Sequence, residues 1–381
     1  MAKEKKFFSF SKNPIDFTLL ITVVILLVLG LIMVLSASSP TALSTTGDSY
    51  RFFVKQLLFA VMGIIAMVII SKIDYRKYFK YYKLVYIVSV IMLILVLLIG
   101  KSVNNAKRWI YITSSISFQP SEMVKFLMII FYAGILTKNR DELGKFKNGF
   151  LKHVCLLIPI IALLILEPHF SVSIVIMGIC AIMMIMAGCK FKHFLLTGLS
   201  IGVPGIAALV IFSPYRLKRV ITFLDPWQDV KGTGWQVIQS LYAIGSGGLF
   251  GSGLGASKQK YLYLPEPYND FIFSVLAEEL GFIGCIAVIV LFGILIWRGI
   301  IIAMKAPDTF GSLLAIGITA LIGIQVIINI AVVTSSMPVT GMPLPFFSYG
   351  GTALFMLLCG IGILLNISRA TKKVWGGKIW K

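Results

Sequence analysis

From Thr309 to Ser368 the chain reads TFGSLLAIGITALIGIQVIINIAVVTSSMPVTGMPLPFFSYGGTALFMLLCGIGILLNIS, sixty residues without one Asp, Glu, Lys or Arg. As one α-helix this run would be about 90 Å long, roughly three times the hydrocarbon thickness of a bilayer. It must therefore fold back on itself. The turn is written at 337–345, MPVTGMPLP, where three prolines and a glycine cannot continue a helix. Two apolar spans joined by a short uncharged turn decide the fold class.

Working outward, the same reading applies to most of the chain. A span needs about 20 apolar residues. The candidates are 17–36, 52–71, 82–100, 120–137, 153–167, 170–188, 191–212, 270–297, 310–335 and 349–367. The 153–188 stretch divides at Glu167-Pro168-His169. The expected fold is all-α: a polytopic transmembrane helix bundle of about ten spans, forming one membrane domain over 1–381. Composition agrees, since 58% of the 381 residues are apolar and only 13% charged, about half the charge of a soluble protein. The run 17–35 is too long for a signal h-region and reads as a retained span.

The net charge of +20 raises the question of nucleic acid, but the basic residues stand in short clusters between apolar runs. That spacing suits an anionic membrane surface and gives no nucleic-acid partner. With the N-terminus cytoplasmic, most Lys and Arg fall in inside segments, and the turns near 167–170 and 336–348 carry none. Both termini are then inside. Two outer loops remain, 101–119 and 213–269, the latter a large extracytoplasmic loop between spans 7 and 8. Long loops escape the positive-inside rule. Within the second, Trp235–Leu249 is apolar but too short to span, and reads as a re-entrant or interfacial helix lining a cavity. Cys155, Cys180, Cys189, Cys285 and Cys359 lie in or beside apolar runs and read as small core residues. His153 and His193, beside lysines, read as solvated flanks.

Ionisable groups at membrane depth are functional candidates. Asp270 follows LPEPYN at 264–269 and opens an apolar helix. It fits both a helix N-cap and a catalytic carboxylate. Glu278, eight residues on, lies about 80° round a helix from Asp270 and could share its cavity. Glu279 faces away and reads as pairing with a neighbouring helix. A second cluster holds Arg108, Trp109, Glu122 and Lys125. Pro120 and Glu122 suit a helix entry. Glu122 and Lys125, three apart, can neutralise each other. Arg108 beside Trp109 fits an interfacial anchor or a phosphate clamp equally. The glycines at 245–255 lack the Lys-Ser/Thr of a nucleotide loop.

Longer strings carry a family resemblance. FLDPW at 223–227, GTGWQ at 232–236, AIGSGGLFGSGLG at 243–255, LPEP at 264–267 and DFIF at 270–273 resemble the large outer loop of the SEDS family (FtsW, RodA, SpoVE). RWI at 108–110, QPSE at 119–122 and PVTGMPLPFFSYGG at 338–351 match two further signatures. The pattern is closer to FtsW and SpoVE than to RodA. Where the family often has His-Thr before its aspartate, this chain has Tyr268-Asn269, and Asn105 stands near a common glycine.

The resemblance implies a peptidoglycan glycosyltransferase of the bacterial cytoplasmic membrane. It would polymerise lipid II, a disaccharide-pentapeptide on undecaprenyl diphosphate, for division or spore-cortex synthesis. The family's essential aspartate falls on Asp270, as general base. Cations would meet the diphosphate, and Arg108, Lys125, Arg216 and Lys258 are the candidates. A divalent cation, Mg or Mn, could accompany the diphosphate, although no His/Asp/Glu cluster forms a firm metal site. A class B penicillin-binding protein transpeptidase and divisome or sporulation proteins are the implied partners.

Two other roles compete with polymerisation. A lipid II flippase needs polar groups through the full bilayer and usually shows repeated halves. Here Glu122, Asp270 and Glu278 gather toward the outer side, and no repeat is evident. A non-catalytic scaffold for a transpeptidase would tolerate Asp270→Asn.

Overall fold

The computed structural model describes residues 14–371, apart from 104–105, 112–116, 233 and 262. Nine helices among the described residues are long and apolar enough to cross a membrane. Helix α1 (Phe17–Thr46) is followed by α2 (Arg51–Ile70) and α3 (Arg76–Ile99). Three short strands come next, β1 (Lys101–Val103), β2 (Ala106–Tyr111) and β3 (Ser117–Phe118). Then come α4 (Pro120–Lys138), α5 (Lys152–Leu166), α6 (Phe170–Ala187), α7 (Phe191–Thr197) and α8 (Val203–Ile211). The outer loop contributes α9 (Pro214–Leu224) and α10 (Trp235–Ser246), before α11 (Ile272–Met304), α12 (Thr309–Val333) and α13 (Gly351–Thr371).

Nine of the ten expected apolar runs are these long helices. The remaining run, 191–212, is helical but broken into α7, a wide turn over Gly198–Gly202, and α8. Within an otherwise all-α chain the sheet is the unexpected element. It pairs β1-β2-β3 antiparallel, with Ile110 opposite Phe118, and carries Arg108 and Trp109.

The core lies around α4 and α12, whose apolar windows are 78% and 72% buried, against 22% for α2, α3 and α11. In a membrane the exposed apolar faces of those outer helices meet lipid. Helix α4 begins with Pro120 and Glu122 in its first turn and ends on Lys138, each end matched to the helix dipole. At the other face of the bundle, Asp16 caps α1 by accepting from Leu19 N at 3.0 Å and pairs with Arg298 of α11. Ser368 Oγ of α13 accepts from Asp16 N at 3.1 Å, so three helices are stapled there.

Several local expectations need correction. All five cysteines are free, but Cys155 is exposed on the outside of the bundle rather than in its core. His153 and His193 are buried, not solvated. His153 bonds the Gly149 carbonyl, and His193 packs on Phe146 and Phe150, because the chain before α5 folds back over them. Helix α11 is also discontinuous: Gly281 has φ 67° and ψ −169°. A short arm, 272–280, therefore precedes the long apolar segment 282–304.

Candidate active site

Asp270 is the first residue to place. The α11 arm starts at Ile272 with Phe271 as its N-cap, and no side chain caps it. Asp270 therefore does not serve as the cap that its position suggested. Its half-buried carboxylate faces a cavity instead, close to Gly341, where an added Cβ would stand 3.3 Å from Asp270 Oδ2. Gly341 has φ +70°, a conformation that favours glycine. The turn 337–345, read from sequence as a reversal of direction and part of a family signature, thus forms one wall of the site.

That cavity has a volume of about 390 Å³ and is lined by Asp270, Arg108, Trp109, Glu122, Lys125 and Lys55, among others. Five of the eight residues singled out from sequence are thus brought together from α4, β2 and the loop that leads into α11. Glu122 and Lys125 form a buried ion pair at 2.8 Å, with side chains only 6% and 1% exposed. They neutralise each other in the cavity wall. Arg108 is held differently, by the main-chain carbonyls of Glu167 and Pro168 in the α5–α6 turn.

The surroundings set the charge states. Burial pushes the Asp270 carboxyl up to about 6, helped by Glu266 and opposed by Arg219 and Arg108. Burial also raises Glu167 to about 8, with Arg108 pulling it back. Neither Glu167 carboxyl oxygen has a hydrogen-bond partner. At neutral pH burial therefore favours the uncharged form of this acid. His169, also in the cavity, meets Ser121 Oγ at 3.1 Å. Burial, then Arg108 and Lys125, hold its pKa well below the usual range, so it is neutral.

Two expected residues, Glu278 and Lys258, are not brought to this cavity. Glu278 accepts bonds from Ser257 Oγ, from Lys258 N at 2.8 Å and from Gln259 N at 3.3 Å, and so clamps a loop. The angular count from Asp270 failed because Asp270 and Phe271 are not helical. Lys258 contributes that main-chain N–H, while the residue itself is exposed. Arg216 lies on α9, and its side chain falls outside the described residues. Its neighbour Arg219 lowers the Asp270 value and donates from Nη1 to Val339 O at 2.7 Å. Glu279 pairs with Lys260 at 2.8 Å and accepts from Ser36 of α1, broadly as expected.

The sequence reading passed over Lys55, Gln325 and Asn329. Each was detectable as a polar group inside an apolar run. Asn329 Nδ2 donates to the carbonyls of Asp270 and Met342, both at 2.8 Å. Ser348 Oγ donates to Asn269 O at 2.6 Å and accepts from Leu344 N at 2.7 Å. These bonds tie the Asp270 segment to the 337–350 turn. Among the described residues no group of three or more His, Cys, Asp or Glu could hold a metal ion.

A sequence model described as "Cell cycle protein", FTSW_RODA_SPOVE, matches residues 17–373. The chain belongs to the FtsW/RodA/SpoVE family. This family member is 45% identical over 363 residues to "Stage V sporulation protein E" of Bacillus subtilis, covering 95% of this chain and 99% of the relative. It is 43% identical over 359 residues to "Probable peptidoglycan glycosyltransferase FtsW" of Trichlorobacter lovleyi, covering 94% of each. Its fold is similar to a chain solved in work on structural coordination of polymerization and crosslinking by a peptidoglycan synthase complex. There the TM-score is 0.77 and identity 28%, over 94% of this chain and 98% of that one. The Thermus thermophilus rod shape determining protein RodA matches with TM-score 0.70 and 26% identity, over 93% and 97%. Like its relatives, the FtsW/RodA/SpoVE chain is a multi-pass protein of the bacterial cytoplasmic membrane.

Proposed function

We propose that the chain is a peptidoglycan glycosyltransferase that polymerises lipid II at the outer face of the membrane, with Asp270 as general base. One observation carries this reading. Asp270 is released from helix capping and faces a cavity that also holds Arg108 and Lys55. A carboxyl raised to about 6 is still mostly ionised at pH 7, yet is basic enough to accept a proton.

The chemistry balances as follows. The 4-hydroxyl oxygen of the GlcNAc of one lipid II attacks C1 of the MurNAc at the reducing end of the growing glycan. Asp270 takes the hydroxyl proton. The bond from C1 to the diphosphate oxygen breaks, and undecaprenyl diphosphate departs with the electron pair. Back-side attack inverts the α linkage to a β-1,4 bond. Arg108 and Lys55 meet the negative charge that builds on the diphosphate, in a site partly shielded from water. Trp109 offers an apolar face beside them. The Glu122–Lys125 pair is already neutralised and shapes the wall. The polyprenyl tail can lie along the exposed faces of the helix bundle, which explains a catalyst built from membrane helices.

A transpeptidase of the class B penicillin-binding type is the partner that fits. One similar solved chain comes from a complex that couples polymerization to crosslinking. A role in division or sporulation fits relatives named FtsW and stage V sporulation protein E.

The purified chain with such a partner, given lipid II in detergent, should yield glycan chains and release undecaprenyl diphosphate in step. In vesicles, lipid II crossing the bilayer without any polymer would instead support a flippase.

A further inference from the structure

We propose that the uncharged loop 248–255 docks into the outer leaflet of the bilayer, with Leu249, Phe250 and Leu254 among the lipid chains. It would thereby fix the arm that follows Asp270 at the membrane surface. This inference concerns the membrane contact alone and does not depend on the reaction at Asp270.

The loop reads GLFGSGLG, and the first charge after it is Lys258. Phe250 is 80% exposed, Leu249 63% and Leu254 61%. An exposed apolar cluster of this kind on a soluble surface would be a liability. Here it is continuous with a face that meets lipid. The first residues after the α11 break, Phe282 and Ile283, are 59% and 53% exposed. They are bonded directly to the loop, Phe282 N to Gly248 O at 2.9 Å and Ile283 N to Leu249 O at 3.2 Å.

Depth follows from helix length. The inner end of α11 is marked by Trp297-Arg298 or, at the latest, by Lys305. At 1.5 Å per residue these lie about 24 and 34 Å from Phe282, against a hydrocarbon thickness of about 30 Å. Either marker puts Phe282, and the loop bonded to it, within about one helical turn of the outer hydrocarbon boundary.

The loop is fixed to the broken arm by its backbone. Irregular chain is tolerated at that depth only if its polar groups are satisfied. The break at Gly281 leaves carbonyls unpaired in the arm, and the loop supplies their donors. Ser252 N bonds Glu278 O at 2.9 Å, and Gly253 N bonds Glu279 O at 3.0 Å. The approach is close enough to demand glycine: a Cβ on Gly251 would stand 2.2 Å from Glu279 O. Four main-chain bonds thus tie the loop to the arm and to the start of the long apolar segment, with Leu249, Phe250 and Leu254 left exposed.

The test uses the full-length chain in nanodiscs of phosphatidylethanolamine and phosphatidylglycerol, with Cys155→Ser to remove the exposed native thiol. A nitroxide is attached at Phe250→Cys, with Val290→Cys as the lipid-facing control and Lys258→Cys as the aqueous control. The label at position 250 should be relaxed strongly by oxygen and weakly by a water-soluble nickel chelate, as at position 290. Relaxation by the chelate to the level seen at position 258 would overturn the proposal. So would shielding from both reagents, which would mean that protein covers the loop. If the cysteine variant fails to assemble, Phe250→Trp in brominated lipids gives a second reading. Quenching in excess of wild type is expected, and its absence overturns the proposal.

Discussion

The side-chain amide of Asn329 donates at 2.8 Å to the main-chain carbonyl of Asp270 and, at the same distance, to that of Met342. One fully buried group on the central helix α12 therefore sets the spacing between the proposed base and the opposite wall of its cavity. Asn329→Ala leaves both carbonyls unmet, at a cost of about 1–3 kcal/mol. Displacing a catalytic group by even ~1 Å can cost on the order of 100-fold in rate. The expected result is a fall of at least ~10-fold in kcat with a much smaller change in KM, because Asn329 places the base rather than touching substrate. Steady-state kinetics on lipid II would show this split. A purely structural role would lower only the melting temperature.

The raised Asp270 carboxyl gives a pH dependence with a definite sign. The base acts when ionised, so kcat/KM should fall about tenfold per pH unit below about 6. Arg108 and Arg219 draw that value down, so Arg108→Gln should move the acid limb to higher pH while also weakening substrate binding. Stability runs the other way. Between the ordinary value of 3.8 and about 6 the folded chain binds more protons at Asp270 than the unfolded chain, so stability declines as pH rises through that window. Above it, Asp270→Asn should melt no lower than wild type.

The buried Glu122–Lys125 pair tests what part of the cavity wall is structural. Removing one partner strands the other charge, at about 3–5 kcal/mol. Lys125→Met alone should be strongly destabilised. The double variant Glu122→Gln, Lys125→Met should recover most of the melting temperature. If that folded double variant also polymerises lipid II, the pair's role is to neutralise and pack the wall.

Glu278 receives three bonds from residues 257–259. Glu278→Ala should leave those donors unmet and loosen the loop, at about 1–3 kcal/mol. Hydrogen exchange should quicken across 252–260, while the pH limb assigned to Asp270 stays where it is.

Much of this was legible in the sequence. Charge-free runs and proline turns gave the span positions, since lipid permits few alternatives. Arg108, Trp109, Glu122, Lys125 and Asp270 stood out as polar groups in apolar surroundings, and one cavity gathers them. Whatever depended on local geometry was hidden. No periodicity announces that α11 breaks at Gly281 or starts two residues after Asp270, so the helical angle that would let Glu278 share the Asp270 cavity does not apply. Arg219, not singled out from the sequence, also acts on Asp270, a relation that only the packing of α9 against the 337–345 turn reveals. Lys55 and Asn329 were visible in α2 and α12, but only tertiary packing connects them to Asp270.

The central claim is that the carboxylate at position 270 removes the acceptor's proton. Its most direct measurement compares wild type with Asp270→Asn, each purified with its transpeptidase and given labelled lipid II. Substrate binding and melting temperature are followed on the same samples. The account predicts intact folding, near-normal binding and a loss of glycan synthesis of about 100-fold or more. Wild-type rates of polymer formation from a folded Asp270→Asn protein would contradict it.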